Sequence, residues 1–288
     1  MKKIIIPLSK EQIFDLANNI DGIILPLKDY SINYINIFTL EDIRKIKKIF
    51  TKKVYIFINK NILNDEIENL KQILQKLNEI SIDGVFFYDL SVLNIYKKNN
   101  YNFNLIWSQE HFTTNASTIS YYLEDGVNTA YLSSEITKKE TIEIIDKVKE
   151  PLFINVFGYI PMFTSRRNLV DNYKKTFNLE DNSKINYIEK EGKKYPIVDT
   201  IHGSFVYSDN ILNLVSECLS FLENKDYYAV FNSNLIYEDK FKKTIKLYST
   251  LDKQNIEMIE KELQKMYNNL DKGFSYNETI YRVKKWKR

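Results

Sequence analysis

Val54-Tyr55-Ile56-Phe57-Ile58-Asn59 is followed, after a short polar gap, by a helical pattern over 65–79 and then by Asp83-Gly84-Val85-Phe86-Phe87-Tyr88-Asp89. The two apolar runs are continuous rather than alternating, as expected of strands buried on both faces. Between them Ile67, Leu70, Ile73, Leu74 and Leu77 fall on one stripe, while Glu66, Glu68, Lys71 and Lys76 face elsewhere. A buried strand, an amphipathic helix and a second buried strand form a parallel β/α crossover.

The same unit recurs outward in both directions. Strands are predicted at 4–8, 22–26, 54–58, 84–88, 103–107, 129–132, 152–157 and 227–231. Helices are predicted at 10–18, 40–50, 65–79, 91–97, 115–124, 138–149, 166–175 and 237–247. Eight such units in roughly 250 residues predict an α/β fold of the (β/α)8, TIM-barrel-like type. An open doubly wound sheet is the alternative, but Ser9-Lys10 follows the first strand where a glycine-rich dinucleotide loop would stand. Residues 178–210 break the alternation and read as a β-hairpin inserted after unit seven, around Glu191-Gly192. A helix over 211–222 precedes the eighth strand. The expected division is a barrel over 1–250 and a C-terminal helix with a basic tail over 251–288.

Composition narrows the function. The 288 residues carry 41 basic and 38 acidic side chains, a net charge of +3, so bulk charge demands no nucleic-acid partner. The distribution is less even, and one run is basic. Tyr281-Arg282-Val283-Lys284-Lys285-Trp286-Lys287-Arg288 reads either as a solvated tail or as an RNA-contacting arm through Lys284, Lys285, Trp286, Lys287 and Arg288. Cys218 is the single cysteine and His111 and His202 the two histidines, which leaves no metal site and no Cys-ligated iron–sulfur cluster. No apolar run reaches the ~18 residues of a membrane span, and the first residues do not form a signal peptide. A cytoplasmic protein with no membrane contact is expected.

In a barrel the strand C-termini build the site. The polar residues found there are Ser9, Asn59, Asp89, Gln109 with Glu110, Ser134 with Glu135, Asn155, and Asn232 with Ser233. Asp89 and Glu135 are the candidate acid–base pair, with His202 as a base beside Ser204. Asn59, Gln109, Thr114, Asn115 and Asn155 are candidate hydrogen-bonding partners for a planar polar ligand. Asp89 and Asn115 also suit helix caps. Arg166 and Arg167 are read as opening a helix, where guanidinium groups and a helix N-terminus together hold an anion. No Gly-x-Ser-x-Gly, His-Glu-x-x-His or Walker pattern occurs.

Phe157-Gly158-Tyr159-Ile160-Pro161-Met162 with Ser165-Arg166-Arg167-Asn168-Leu169 resembles the signature region of peptidase family U-32, the collagenase-like proteins. Gly158 and Ile160 match the family pattern. Pro161 and Asn168 stand where its cysteines would be, and Phe153 replaces an acidic residue. The resemblance extends to residues 54–59 and 83–89, to Ser134-Glu135, and to Ile201-His202-Gly203-Ser204-Phe205. It is closest to short members, which occur beside a longer, cysteine-bearing paralogue. The family name implies a peptidase, hence a hydrolase. Several members instead act in hydroxylation of RNA or quinones with a four-cysteine cluster. Those acting on tRNA are associated with 5-hydroxyuridine at the wobble position and with prephenate as oxygen source. The resemblance therefore implies a cluster-free component of tRNA hydroxylation, with tRNA and a cysteine-bearing paralogue as partners and prephenate as co-substrate. A collagenase-like protease and a non-catalytic anion-binding barrel are the alternatives.

Overall fold

Eight short apolar segments pair in parallel and close on themselves. The computed structural model describes residues 1–277. The barrel strands are β1 (Lys2–Ile6), β2 (Gly22–Pro26), β3 (Lys53–Ile58), β4 (Gly84–Phe87), β5 (Asn104–Trp107), β6 (Thr129–Ala130) and the first part of β7 (Phe153–Ser165). After three inserted strands, β8 (Asn186–Lys190), β9 (Lys193–Thr200) and β10 (Gly203–Asn213), the barrel is completed by β11 (Tyr228–Asn232). β11 lies between β7 and β1. The last seam, β6 to β7, is a single parallel bridge, Tyr131 to Phe153, with Leu132 N–H donating to the Phe153 carbonyl at 2.9 Å.

Period-two alternation divides each strand between two cores. Ile4, Ile24, Tyr55, Phe57, Phe86 and Phe153 fill the lumen together with Ile6, Ile106, Tyr131 and Val230. Phe86 meets Phe153 edge-on with centroids 4.8 Å apart, and Tyr55 meets Phe153 at 5.4 Å. The lumen is thus a packed core rather than a channel. The alternate residues, such as Ile5, Ile23, Val54 and Ile56, pack outward against the helices.

The helical ring follows from the amphipathic stripes. It comprises α1 (Lys10–Asp15), α2 (Leu40–Ile49), α3 (Ile67–Ile80), α4 (Leu90–Lys97), α5 (Ala116–Glu124) and α6 (Lys138–Lys147). Leu70, Leu74 and Leu77 of α3 are fully buried, each worth roughly 1.5–3 kcal/mol of burial. Thr39 with Asp42 and Thr137 with Glu140 form capping boxes that fix the starts of α2 and α6.

Unit seven departs from the sequence-based expectation. β7 does not stop at Phe157 but runs thirteen residues to Ser165. Gly158 adopts φ +130°, and a Cβ there would lie 2.5 Å from the Asn232 carbonyl of β11. Beyond this point β7 parts from β11 and pairs antiparallel with β10 alone. Pro161 reads as a loop residue, yet a strand with one neighbour tolerates a proline. The helix expected at 166–175 begins only at Leu169: α7 (Leu169–Thr176) belongs to the inserted arm and packs on β9 and β10. The true crossover helix to β11 is α8 (Val215–Asn224), since residues 211–213, expected as helix, are the end of β10.

The hairpin β8–β9 turns at Glu191 and Gly192, both at positive φ as a two-residue hairpin turn requires. The arm folds back over the C-terminal rim of the barrel. Phe205, Tyr207 and Val198 bury against Ile32, Ile35 and Leu235, and Tyr207 Oη donates to the Asn33 carbonyl at 2.8 Å. The chain then adds α9 (Glu238–Ser249), α10 (Ile256–Met266) and β12 (Leu270–Asp271), which pairs with β10. The tail residues Lys284, Lys285, Trp286, Lys287 and Arg288 lie outside the described residues. No helix among the described residues is long and apolar enough to cross a membrane.

Candidate functional site

The strand C-termini and the arm together enclose a cavity of about 30 Å³ at the barrel mouth, room for about one water. Its acidic residues are Glu110 after β5 and Glu135 after β6; Asn155 of β7 and Asn232 of β11 also line it, and Ile160 and Pro161 of the arm complete it. Tyr34 and Tyr131 join the lumen core to this layer.

Glu110 is the chemically distinctive member. Burial raises its carboxyl to about 7, helped by the neighbouring Glu135 charge and opposed by His111. A carboxyl of that kind exchanges its proton near neutral pH and suits general acid–base work. His111 Nδ1 stands 3.2 Å from Glu135 Oε1 on the solvent side. Burial also raises the Tyr34 and Tyr131 phenols, which therefore stay protonated at neutral pH. Asn155 donates from Nδ2 to Ser134 Oγ at 3.3 Å, while its Oδ1 is buried without a partner. Among the described residues no lysine or arginine lines the cavity, so its two carboxyls disfavour an anion and suit a neutral hydrogen-bonding group.

Of the residues expected from sequence, Glu110, Ser134, Glu135, Asn155 and Asn232 meet at this mouth. The others are placed elsewhere. Asn59 is buried and clamps the loop after β2, accepting from Ile32 N–H at 2.9 Å and donating to its carbonyl at 3.3 Å. Asp89 caps α4 through Ser91 N–H at 2.8 Å and holds Ile62 N–H at 3.0 Å, so its carboxylate is spent on backbone. Asn115 is exposed and caps α5 by accepting from Thr118 N–H at 2.8 Å; Thr114 beside it is half-buried and off the cavity wall. Gln109 faces a separate cleft between the α4 and α5 ends.

Arg166 and Arg167 require a correction. They precede α7 instead of opening it, are exposed, and have no side-chain partner among the described residues. Six residues of strand separate Gly158 from Ser165, carrying the pair roughly 20 Å along the arm from the rim. No anion pocket at the mouth includes them.

His202 and Ser204 form no base–nucleophile couple. Ser204 Oγ is bonded to Asp199 and the Arg167 carbonyl, and accepts from Leu169 N–H at 2.7 Å. His202 lies across the arm near Lys60; burial first, and then that lysine, lower its pKa. Asp89 and Glu135 are likewise no pair, since the partner of Glu135 at the mouth is Glu110.

The apolar run at 103–107 was the signal that placed Glu110 at the rim, without an acid–base role, and His111 adjoins it. Tyr34 gave none, because it lies in a loop that only the closed barrel brings inward. Cys218 is fully buried in α8, where burial pushes its thiol up to about 12. Among the described residues no group of three metal-ligating side chains converges.

The chain is similar to known proteins along most of its length. It is 27% identical over 282 residues to tRNA hydroxylation protein P2 of Bacillus subtilis (strain 168), covering 88% of this chain and 89% of the relative. Among solved structures, a tryptophan synthase complex from Pyrococcus furiosus overlays 92% of this chain and 97% of its own with a TM-score of 0.46 and 8% identity. N-(5'-phosphoribosyl)anthranilate isomerase from the same organism overlays 91% and 98% with a TM-score of 0.42 and 9% identity. The model of peptidase family U32 matches residues 11–282, and with these strands, this closed barrel and this match the chain belongs to peptidase family U32.

Proposed function

We propose that the protein is a cluster-free component of tRNA hydroxylation, acting at the wobble uridine in the cytoplasm. The observation that carries this reading is the end-to-end similarity to the relative named tRNA hydroxylation protein P2. The mouth supports it in chemical terms. The Glu110 carboxyl, titrating near 7 beside Asn155 and Asn232, is equipped to move a proton to or from the one water-sized group that the cavity holds. Ser204 is bound up in the arm, which takes away the nucleophile that the protease alternative needed.

A four-cysteine cluster does not fit this chain. Its one thiol is buried in α8, away from the mouth, so no step is assigned to such a group here. In this reading a cysteine-bearing paralogue supplies the redox chemistry. A dicarboxylate such as prephenate is met at the exposed arm cations or on that partner, since the mouth repels it.

The test is deletion of the gene followed by mass spectrometry of tRNA nucleosides. Loss of 5-hydroxyuridine-type modification, restored by the wild-type gene and not by Glu110→Gln, is the expected result. Unchanged modification in the deletion strain rejects the reading.

A further inference from the structure

Helix α7 of the arm is held by polar ties rather than by an apolar face. Leu169 N–H donates to Ser204 Oγ at 2.7 Å, Asp171 N–H donates to Asp199 Oδ2 at 2.9 Å, and Lys174 Nζ meets Asp181 at 3.3 Å. The helix is eight residues long, and against the described residues it buries none of its side chains. A helix that short is marginal in water and ordinarily draws its stability from a packed apolar face. α7 has such a face, but it is turned outward. Leu169, Tyr173 and Phe177 stand at i, i+4 and i+8 and so share one stripe. They are 37%, 58% and 59% exposed, and the Tyr173 and Phe177 rings lie 4.7 Å apart. An apolar stripe of this kind in solvent is an interaction surface.

The pattern of the stripe selects its occupant. It is symmetric about Tyr173, with an apolar side chain four residues to either side. Charge is arranged about the same point. Arg166 stands seven residues before Tyr173 and Glu180 seven after it, both exposed and without a side-chain partner among the described residues. An antiparallel copy related by a two-fold axis at Tyr173 sets Leu169 against the partner's Phe177 and brings Arg166 toward the partner's Glu180. A parallel copy would set Arg166 against the partner's Arg166 instead. Each half-exposed ring offers on the order of 100 Å², so the contact falls at the low end of specific interfaces and is concentration-dependent.

We propose that α7 is a homodimer contact, packing antiparallel on α7 of a second copy of this chain with Tyr173 at the two-fold axis. The contact completes the packing that α7 lacks within its own chain. It is independent of the proposed part in tRNA hydroxylation.

The experiment follows the full chain by sedimentation velocity from micromolar to a few hundred micromolar. Conversion of monomer to dimer with a dissociation constant on the order of 10–100 μM is expected. Tyr173→Lys places two ammonium groups at the axis and is expected to weaken the dimer at least about tenfold with an unchanged urea midpoint. Arg166→Glu is expected to weaken it as well, and addition of Glu180→Arg to restore it. Cys218 is buried in α8, so an introduced cysteine is the reactive thiol. On mild oxidation Tyr173→Cys is expected to form a disulfide with its own copy, and Leu169→Cys to form one only when mixed with Phe177→Cys. A monomer at every concentration, a dimer insensitive to Tyr173→Lys, or a homodisulfide formed as readily by Leu169→Cys as by Tyr173→Cys overturns the assignment. A monomer that co-sediments with phosphatidylserine vesicles, and no longer does so as Tyr173→Ser, gives the stripe to a lipid surface and likewise overturns it. A monomeric protein leaves the hydroxylation reading standing, and unchanged tRNA in the deletion strain leaves the dimer standing.

Discussion

His111 Nδ1 lies 3.2 Å from Glu135 Oε1, and the same glutamate charge helps hold the Glu110 carboxyl at about 7. The Glu110 value makes folding depend on pH. In the unfolded chain this carboxyl titrates near 4.5. Between the two values the folded protein holds a proton that the unfolded chain has lost, so stability falls as pH rises through that window. The loss is on the order of 2–3 kcal/mol by pH 8. Glu110→Gln removes it. Urea denaturation at pH 5 and pH 8 is expected to show the variant gaining on the wild type at the higher pH. A pH-independent difference between the two contradicts the assignment.

Gly158 is the point at which β7 leaves the barrel. Alanine there meets both an unfavourable φ and the Asn232 carbonyl at 2.5 Å. Gly192, in the hairpin turn at φ +76°, has open space around its would-be Cβ. Gly158→Ala is expected to cost roughly 3 kcal/mol or more and Gly192→Ala roughly 1 kcal/mol, read as denaturation midpoints. Similar losses in both variants contradict the close approach to Asn232.

The barrel was legible because its determinants are local: a continuous apolar run and an amphipathic stripe recur in every unit. The arm was not, because Gly158 and Pro161 carry loop signals whatever the pairing, and only the departure of β11 leaves β7 as an edge that accepts them. The site was half legible for a related reason. Polar residues after strands mark the rim, but Asn59 and Asp89 serve neighbouring backbone, while Asn155 and Glu135 turn to the axis. Sequence does not separate those fates, since they depend on which loop the closed sheet brings alongside.

The C-terminal segment is anchored by charge inside the ring of helices. Lys272 Nζ meets Glu217 at 3.0 Å and Glu260 at 3.1 Å, and Tyr276 Oη donates to Glu217 at 2.7 Å, with the Glu217 side chain 1% exposed. Lys272→Met leaves that carboxylate without its cation and is expected to cost about 3 kcal/mol. Adding Glu217→Gln is expected to recover a large part of the loss. Additive losses in the double variant, by chemical denaturation, contradict a coupled pair.

Arg166 and Arg167 stand exposed on the arm with no side-chain partner among the described residues, so they contribute little to folding. Replacing both with alanine is expected to leave stability within about 0.5 kcal/mol. If the arm contacts RNA phosphate, each arginine releases counterions from the nucleic acid on binding. The slope of log affinity for tRNA against log salt is then expected to become shallower by about 0.7–0.9 per residue removed. Lysine at both positions preserves the charge and the slope while losing the bidentate fork, which separates a phosphate contact from a carboxylate clamp. Filter-binding or fluorescence titrations across a salt series measure this directly. An unchanged slope in the double-alanine variant removes the arm from the RNA interface and leaves the mouth to account for whatever RNA binding remains.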